Sequence, residues 1–288
     1  MMRLDVPASS HEQALDKCIA GVLGNDDLLT RIQNSRAMLL AEGRSYSEHV
    51  SNGDLFTIQP ITTQPESEGS LFGELDKSDL IKMYSQYFAD KDKPARRIYN
   101  DLLNAARDQC PFCGGIGSPR TLDHFLPKKL FPQFSILPFN LVPSCRDCNM
   151  EAKAQSFASR AEDQCIHPYG DRETFFTDQW ICARYIPSLN HAPGRFMYYI
   201  SAPHGATSLD DKRVQAHFRD FGIAKRYSTK AGENLGTVLS QIQNMRAGGL
   251  SDCKVVEYLL QPGVDLAPFI NHWHRGMYQA LIASLGHI

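Results

Sequence analysis

The chain has 288 residues, enough for one large domain or two smaller ones with a substantial apolar core. Apolar residues make up 42% of it and charged residues 22%, which is typical of a globular protein and excludes a disordered or fibrous chain. The net charge of −2 excludes a protein that coats nucleic acid through a strongly basic surface.

The sequence favours a cytoplasmic protein without a membrane partner. No apolar run approaches the roughly 20 residues that span a bilayer, and residues 1–13 lack the apolar stretch of a secretory signal. Four cysteines lack partner spacing, as expected for small buried side chains in a reducing compartment: Cys18, Cys165, Cys182 and Cys253.

The N-terminal third is predicted to be helical. Apolar spacing over residues 9–42 predicts two amphipathic helices, the second restarting at Leu28 after Asn25-Asp26-Asp27. Residues 43–70 are rich in Gly, Ser, Pro and Thr, which predicts a linker around one strand-like run at 55–58. Residues 77–107 return to helical spacing, with a break at Lys93-Pro94 because a helix interior tolerates proline badly.

The C-terminal part is predicted to be a strand pair followed by helices. Residues 174–186 and 195–201 are rich in aromatic and β-branched side chains, and residues 190–194 separate them as a turn. From residue 210 onward the spacing is helical, with a last helix pair over about 250–285.

The most informative feature is a pair of Cys-x-x-Cys motifs. Four thiolates from two tight turns form the tetrahedral sulfur set that zinc prefers, and a zinc ligated fully by protein is structural. The 31 residues between the pairs exceed the usual gap of about 15 to 20, so a segment is inserted between the two turns. Disulfides and an iron–sulfur cluster are the alternatives. The four residues are Cys110, Cys113, Cys145 and Cys148.

The inserted segment predicts a strand, a long loop, a second strand and a helix. Asp123 and His124 end the first strand, Asn140 precedes the second, and the helix runs from Arg146 to about residue 160. Adjacent strand residues point to opposite faces. Imidazole suits proton abstraction from water at neutral pH. A carboxylate and an amide oxygen, such as those of Asp123 and Asn149, suit Mg²⁺.

A small basic island surrounds this segment. Between residues 107 and 160 there are seven Lys and Arg side chains against four acidic ones, in an otherwise acidic chain. Such an island can seat a phosphate backbone. The predicted phosphate contacts are Lys128, Lys129, Arg146 and Lys153.

The combined pattern C-x-x-C, D-H-x-x-P-K, N-L-V-P, C-x-x-C-N resembles the four-cysteine members of the HNH endonuclease family over about 45 residues. The resemblance implies that Asp123 and Asn149 bind the catalytic metal, His124 is the general base and Asn140 braces the active-site loop. The family often has Lys three residues after the last Asn, whereas here that position is Ala152 and the lysine is Lys153.

The implied fold is α+β: a ββα-metal core stapled by the four-cysteine zinc site, within mainly helical flanking regions and a small β-hairpin. We expect an N-terminal helical region and linker at 1–70, the HNH core with its preceding helix at 71–171, and a hairpin plus helical region at 172–288. The stretches D-H-F-L-P-K, H-P-Y-x-D and HFRDFGIAKRY are similar to HNH nucleases of Septu-type and retron-associated anti-phage systems. That similarity implies an ABC-type ATPase partner.

The sequence therefore predicts an endonuclease that hydrolyses DNA with Mg²⁺ or Mn²⁺ and carries a structural Zn²⁺. Two alternatives stay open: a zinc-stabilised module that binds nucleic acid or protein without catalysis, and an HNH ribonuclease.

Overall fold

Helices and two small antiparallel hairpins make up the fold of the described residues. The computed structural model describes residues 1–61, 72–149, 157–188, 194–203 and 205–288. It divides into two compact units. One consists of Arg3–Gln109 with Gly117–Arg172, and the other of Met1–Met2, Cys110–Ile116 and Glu173–Ile288. The three regions predicted from the sequence, 1–70, 71–171 and 172–288, stay a prediction.

Two helices open the first unit, as predicted. Helix α1 spans His11–Ile19 and helix α2 spans Asp26–Asn52. Asn25 caps α2 by accepting a hydrogen bond from the Leu28 N–H at 3.1 Å, which satisfies a donor that the first turn leaves open. Gly53 ends α2 with a left-handed backbone, φ 74°, a conformation that glycine adopts at little cost.

Two predictions for residues 43–70 are wrong. Residues 43–52 continue α2, because Tyr46 and Val50 bury their side chains on its inner face. The strand-like run at 55–58 is a 3-10 turn over Leu55–Thr57. Residues 62–70 lie outside the described part of the chain.

Helix α3, Lys77–Lys82, continues as a π-helical segment, Met83–Phe88, and helix α4 follows at Arg96–Asn104. The predicted break at Pro94 is confirmed. These segments bury an apolar side together with α1 and α2, and this cluster includes Ile32, Phe88 and Leu102. Burial of that apolar surface is the main stabilising contribution to the unit.

The first hairpin pairs strand β1, Thr121–His124, with strand β2, Leu141–Ser144, so both predicted strands are confirmed. Asp123 lies opposite Val142 in the antiparallel register. A helical turn begins at residue 146 and is described to residue 149. The predicted continuation of this helix to about residue 160 is wrong at its end, because residues 157–160 are irregular. Residues 150–156 lie outside the described part.

The largest segment of the second unit, Glu173–Ile288, opens with a short helix, α5, Thr174–Thr177, where a strand was predicted. Its hairpin pairs β3, Ile181–Ile186, with β4, Arg195–Ile200, as predicted. Residues 190–193 of the predicted turn lie outside the described part.

The remaining helices of the second unit are, in chain order: α6, Ser208–Asp220; α7, Ile223–Ala247; α8, Asp252–Val255, continued by a π-helical segment, Val256–Leu260; α9, Gln261–Asp265; and α10, Trp273–Ala283. Helix α7 packs on β4 and helix α10 packs on β3. Across the described residues, every helix is too short or too polar to cross a bilayer.

Candidate metal and catalytic centre

The four paired cysteines come together as predicted. The Sγ atoms of Cys110, Cys113, Cys145 and Cys148 all lie within 4.8 Å of one another, and all four residues are buried. A tetrahedral zinc with Zn–S bonds of about 2.3 Å separates its sulfur ligands by about 3.8 Å, so the donor set fits that ion. All eight cysteines of the chain lie in the described part, and none is joined in a disulfide. The cluster can hold a structural metal such as zinc.

The first cysteine turn depends on glycine. Gly114 and Gly115 follow Cys113 with φ values of 60° and 83°, a region that other residues rarely adopt. The Gly115 N–H donates to the Cys110 carbonyl at 2.9 Å and closes the turn.

His217 supports the same turn, a role that sequence reasoning missed. Its Nε2–H donates to the carbonyl of Phe112, between the two cysteines, at 2.9 Å. The Phe112 ring stacks on Phe221, one helical turn after His217, with centroids 4.8 Å apart. The stretch HFRDFGIAKRY therefore holds the first turn. Only its histidine and aromatic content hinted at a buried role.

Asp123 and His124 point to opposite faces of β1, as predicted. The strand alternates between exposed Thr121, buried Leu122, half-buried Asp123 and buried His124. His124 is 7% exposed, and its ring packs edge-on against Tyr84 with centroids 4.4 Å apart. Its Nε2 lies 2.9 Å from the carbonyl oxygen of Ser135. A carbonyl only accepts, so Nε2 carries the proton and the lone pair of the neutral ring is on Nδ1.

Asn149 lies on the side of β1 that carries Asp123. Its Nδ2 donates to the Thr121 hydroxyl at 3.2 Å. Thr121 and Asp123 share a strand face and follow one another at a spacing of roughly 7 Å. Because the amide nitrogen is the donor to Thr121, the amide oxygen is the atom suited to a cation.

Asn140 braces the loop between the strands. Its Oδ1 accepts from the Leu126 N–H at 2.8 Å, and its Nδ2 donates to the carbonyls of Leu126 and Phe134 at 3.2 and 3.1 Å. The side chain is fully buried. One amide thus joins the two ends of the loop that supplies the Ser135 carbonyl to His124.

The predicted phosphate contacts differ in exposure. Lys128 is half-buried and its Nζ lies 4.3 Å from the centroid of the Tyr84 ring. Burial lowers the pKa of Lys128, while the nearby Asp123 carboxylate opposes that shift. Lys129 and Arg146 are exposed, and Lys153 lies outside the described residues.

Comparison with known proteins identifies the family of this chain. No family profile matches the sequence, and no solved structure matches it. The chain is 37% identical over 295 residues to protein ea31 of Escherichia phage lambda, and the alignment covers 99% of this chain and 98% of that protein. Because that identity extends along nearly the whole of both sequences, the chain belongs to the family of phage lambda protein ea31.

Proposed function

We propose that this protein is a metal-dependent endonuclease of the HNH type that hydrolyses DNA phosphodiester bonds. One observation carries the proposal: on β1, an imidazole of defined tautomer adjoins a carboxylate, and Asn149 lies on the carboxylate's side of the strand. The hairpin, the helical turn that follows it and the four-cysteine cluster support a ββα-metal core, with zinc as its structural ion.

Asp123 and Asn149 would hold the catalytic ion, Mg²⁺ or Mn²⁺. A carboxylate oxygen and an amide oxygen are hard ligands of the kind these ions prefer. The bound ion would offset the negative charge that develops on the phosphate. Lys128, Lys129 and Arg146 would contact the phosphate backbone.

His124 would act as the general base. The Ser135 carbonyl keeps the proton on Nε2, so Nδ1 accepts a proton from the attacking water. The resulting imidazolium is stabilised because Nε2–H still donates to that carbonyl. The water oxygen bonds to phosphorus, the P–O3′ bond breaks, and the departing 3′ oxygen takes a proton from solvent. This yields the 5′-phosphate and 3′-hydroxyl ends that the HNH resemblance implies.

Plasmid nicking tests this proposal. We expect the wild-type protein to nick DNA with Mg²⁺ or Mn²⁺ and His124→Ala to lose at least about 100-fold in rate, the range that general-base removal costs. His287→Ala is the control, because His287 is exposed and lies in the other unit. Equal nicking by His124→Ala and wild type would exclude His124 as the base.

The second candidate is a zinc-stabilised binding module without catalysis. The low exposure of His124, 7%, favours it over an open active site. Binding of DNA without nicking at any Mg²⁺ or Mn²⁺ concentration would establish this candidate. Digestion of RNA in parallel with DNA separates the ribonuclease alternative from both.

A role in anti-phage defence with an ABC-type ATPase partner is the wider proposal, and it is supported by the similarity of three motifs to Septu-type nucleases. The name of the phage lambda relative states no activity. Co-expression with the neighbouring open reading frame, followed by pull-down, tests it. We expect an ATPase to copurify in near-stoichiometric amount and to change the nicking rate.

A further inference from the structure

A buried chain of hydrogen bonds leads from Asn140 to His167 through Tyr46, a residue of α2. The Tyr46 hydroxyl donates to Oδ1 of Asn140 at 2.9 Å and lies 3.3 Å from Nε2 of His167. The backbone N–H of Tyr169 donates to Nδ1 of His167 at 3.3 Å. Nδ1 is thus the acceptor, and Nε2–H donates to the Tyr46 oxygen. Tyr46, Asn140 and His167 are each at most 1% exposed.

Tyr169, which bonds to His167, also connects this series of hydrogen bonds to the first hairpin. Tyr169 donates its hydroxyl to the carbonyl of Leu141, the first residue of β2, at 2.9 Å. The Tyr46 ring also packs against Phe134 with centroids 4.9 Å apart. Burial raises the pKa of Tyr46, so its hydroxyl stays protonated and remains a donor.

At its other end, this series of hydrogen bonds holds the carbonyl that accepts from His124. Asn140 donates to the carbonyl of Phe134, and the next residue, Ser135, offers the carbonyl that receives Nε2–H of His124. Without the Tyr46 hydroxyl, Oδ1 of Asn140 keeps one donor, the Leu126 N–H. The amide would then be held less tightly, and the Ser135 carbonyl with it.

We infer that Tyr46 and His167 are positioning residues for the general base: they hold Asn140, which holds the loop that fixes the tautomer and ring orientation of His124. This inference rests on the proposed nuclease function. It gives a positioning role to the H-P-Y-x-D stretch, which begins at His167, more than 40 residues after His124 in the sequence.

Nicking kinetics give the first test, with Tyr46→Phe as the variant. The change removes one oxygen and keeps the ring that packs on Phe134. We expect kcat to fall about tenfold or more, because small misplacements of a catalytic group are costly. KM for DNA and the Mg²⁺ concentration for half-maximal rate should not change. Tyr87→Phe is the matched control, since Tyr87 is also a buried tyrosine of this unit and lies outside the chain of hydrogen bonds.

NMR of the histidine ring nitrogens in the 288-residue chain, without added Mg²⁺ or Mn²⁺, gives a readout that does not need activity. Wild type and Tyr87→Phe should show His124 as a single tautomer with the proton on Nε2. Tyr46→Phe should show a mixture of tautomers, and His167→Gln, which retains a donor near the Tyr46 oxygen, a smaller change.

A single Nε2–H tautomer in Tyr46→Phe, or unchanged kcat in an active protein, would overturn the inference. If wild type does not nick DNA, the proposed function fails, and the tautomer comparison alone then decides whether Tyr46 positions His124.

Discussion

At the scale of single residues, Asn140 makes four hydrogen bonds next to the candidate centre. An amide both donates and accepts, and here it serves two carbonyls, one backbone N–H and the Tyr46 hydroxyl. Neither a carboxylate nor a hydroxyl of similar size offers two donors and an acceptor in one plane. These bonds tie together residues of the loop between β1 and β2, and the active-site role expected of Asn140 stays a prediction.

Asn140→Ala is expected to destabilise the folded chain by roughly 2 to 4 kcal/mol, because several buried polar groups lose their partners at once. Denaturant unfolding measures this difference. The exposed Asn52, at the end of α2, provides the control Asn52→Ala, for which we expect a change within about 0.5 kcal/mol. Equal stability of the two variants would show that the loop does not need this amide.

At the scale of elements, α1 and α2 are joined closely at His11 and Gly43. A Cβ at Gly43 would lie 2.3 Å from Nδ1 of His11, so glycine permits this approach. Both ring nitrogens of His11 are shielded from solvent and make no hydrogen bond within the described part of the chain. Burial first, and the Arg36 charge second, lower the pKa of His11 to about 4.

This shift predicts a pH dependence of stability. The unfolded chain binds a proton at His11 below pH about 6.5, whereas the folded chain does so only near pH 4. The free energy of unfolding is therefore unaffected by His11 above pH about 6.5 and decreases as the pH falls toward 4. We expect a decrease of roughly 2 kcal/mol, a value discounted for the partial exposure of the residue. Unfolding free energies of His11→Gln should fall less over this range than those of wild type. The exposed His287, changed to Gln, should leave the wild-type slope unchanged.

Helix α6 supports the first cysteine turn through His217, and this support should control metal retention. His217→Ala removes the imidazole donor from the buried Phe112 carbonyl. We expect zinc to transfer to a colorimetric chelator several times faster than from wild type, with His217→Gln in between because its amide can donate. Gln215→Ala, at an exposed position of the same helix, is the control. Equal release rates for all four proteins would contradict this role.

At the scale of the whole molecule, the four cysteines join two parts of the chain that 31 residues separate. We expect elemental analysis of purified protein to find one zinc per chain, and iron in its place would favour a cluster. Cys148→Ser should lose the metal and lower Tm by about 5 °C or more, since metal binding contributes to folding. Cys253→Ser, at an exposed scattered cysteine, should retain both the metal and the Tm.

The sequence by itself determined the features that depend on neighbouring residues. These are the two cysteine turns, the second helix of the N-terminal pair after the polar residues 25–27, the break at Pro94 and the alternating faces of β1. Each follows from local backbone chemistry: a turn needs glycine, a helix start needs a side-chain acceptor, and a strand alternates its side chains.

Tertiary packing decided the rest, against local composition. Residues 43–52 are helical although they include one Gly and three Ser, because Tyr46 and Val50 are buried there. The bonds from Tyr46 to Asn140 and from His217 to Phe112 join residues 94 and 105 positions apart. No spacing rule reaches that far, since such contacts exist only once the helices have packed within their own units.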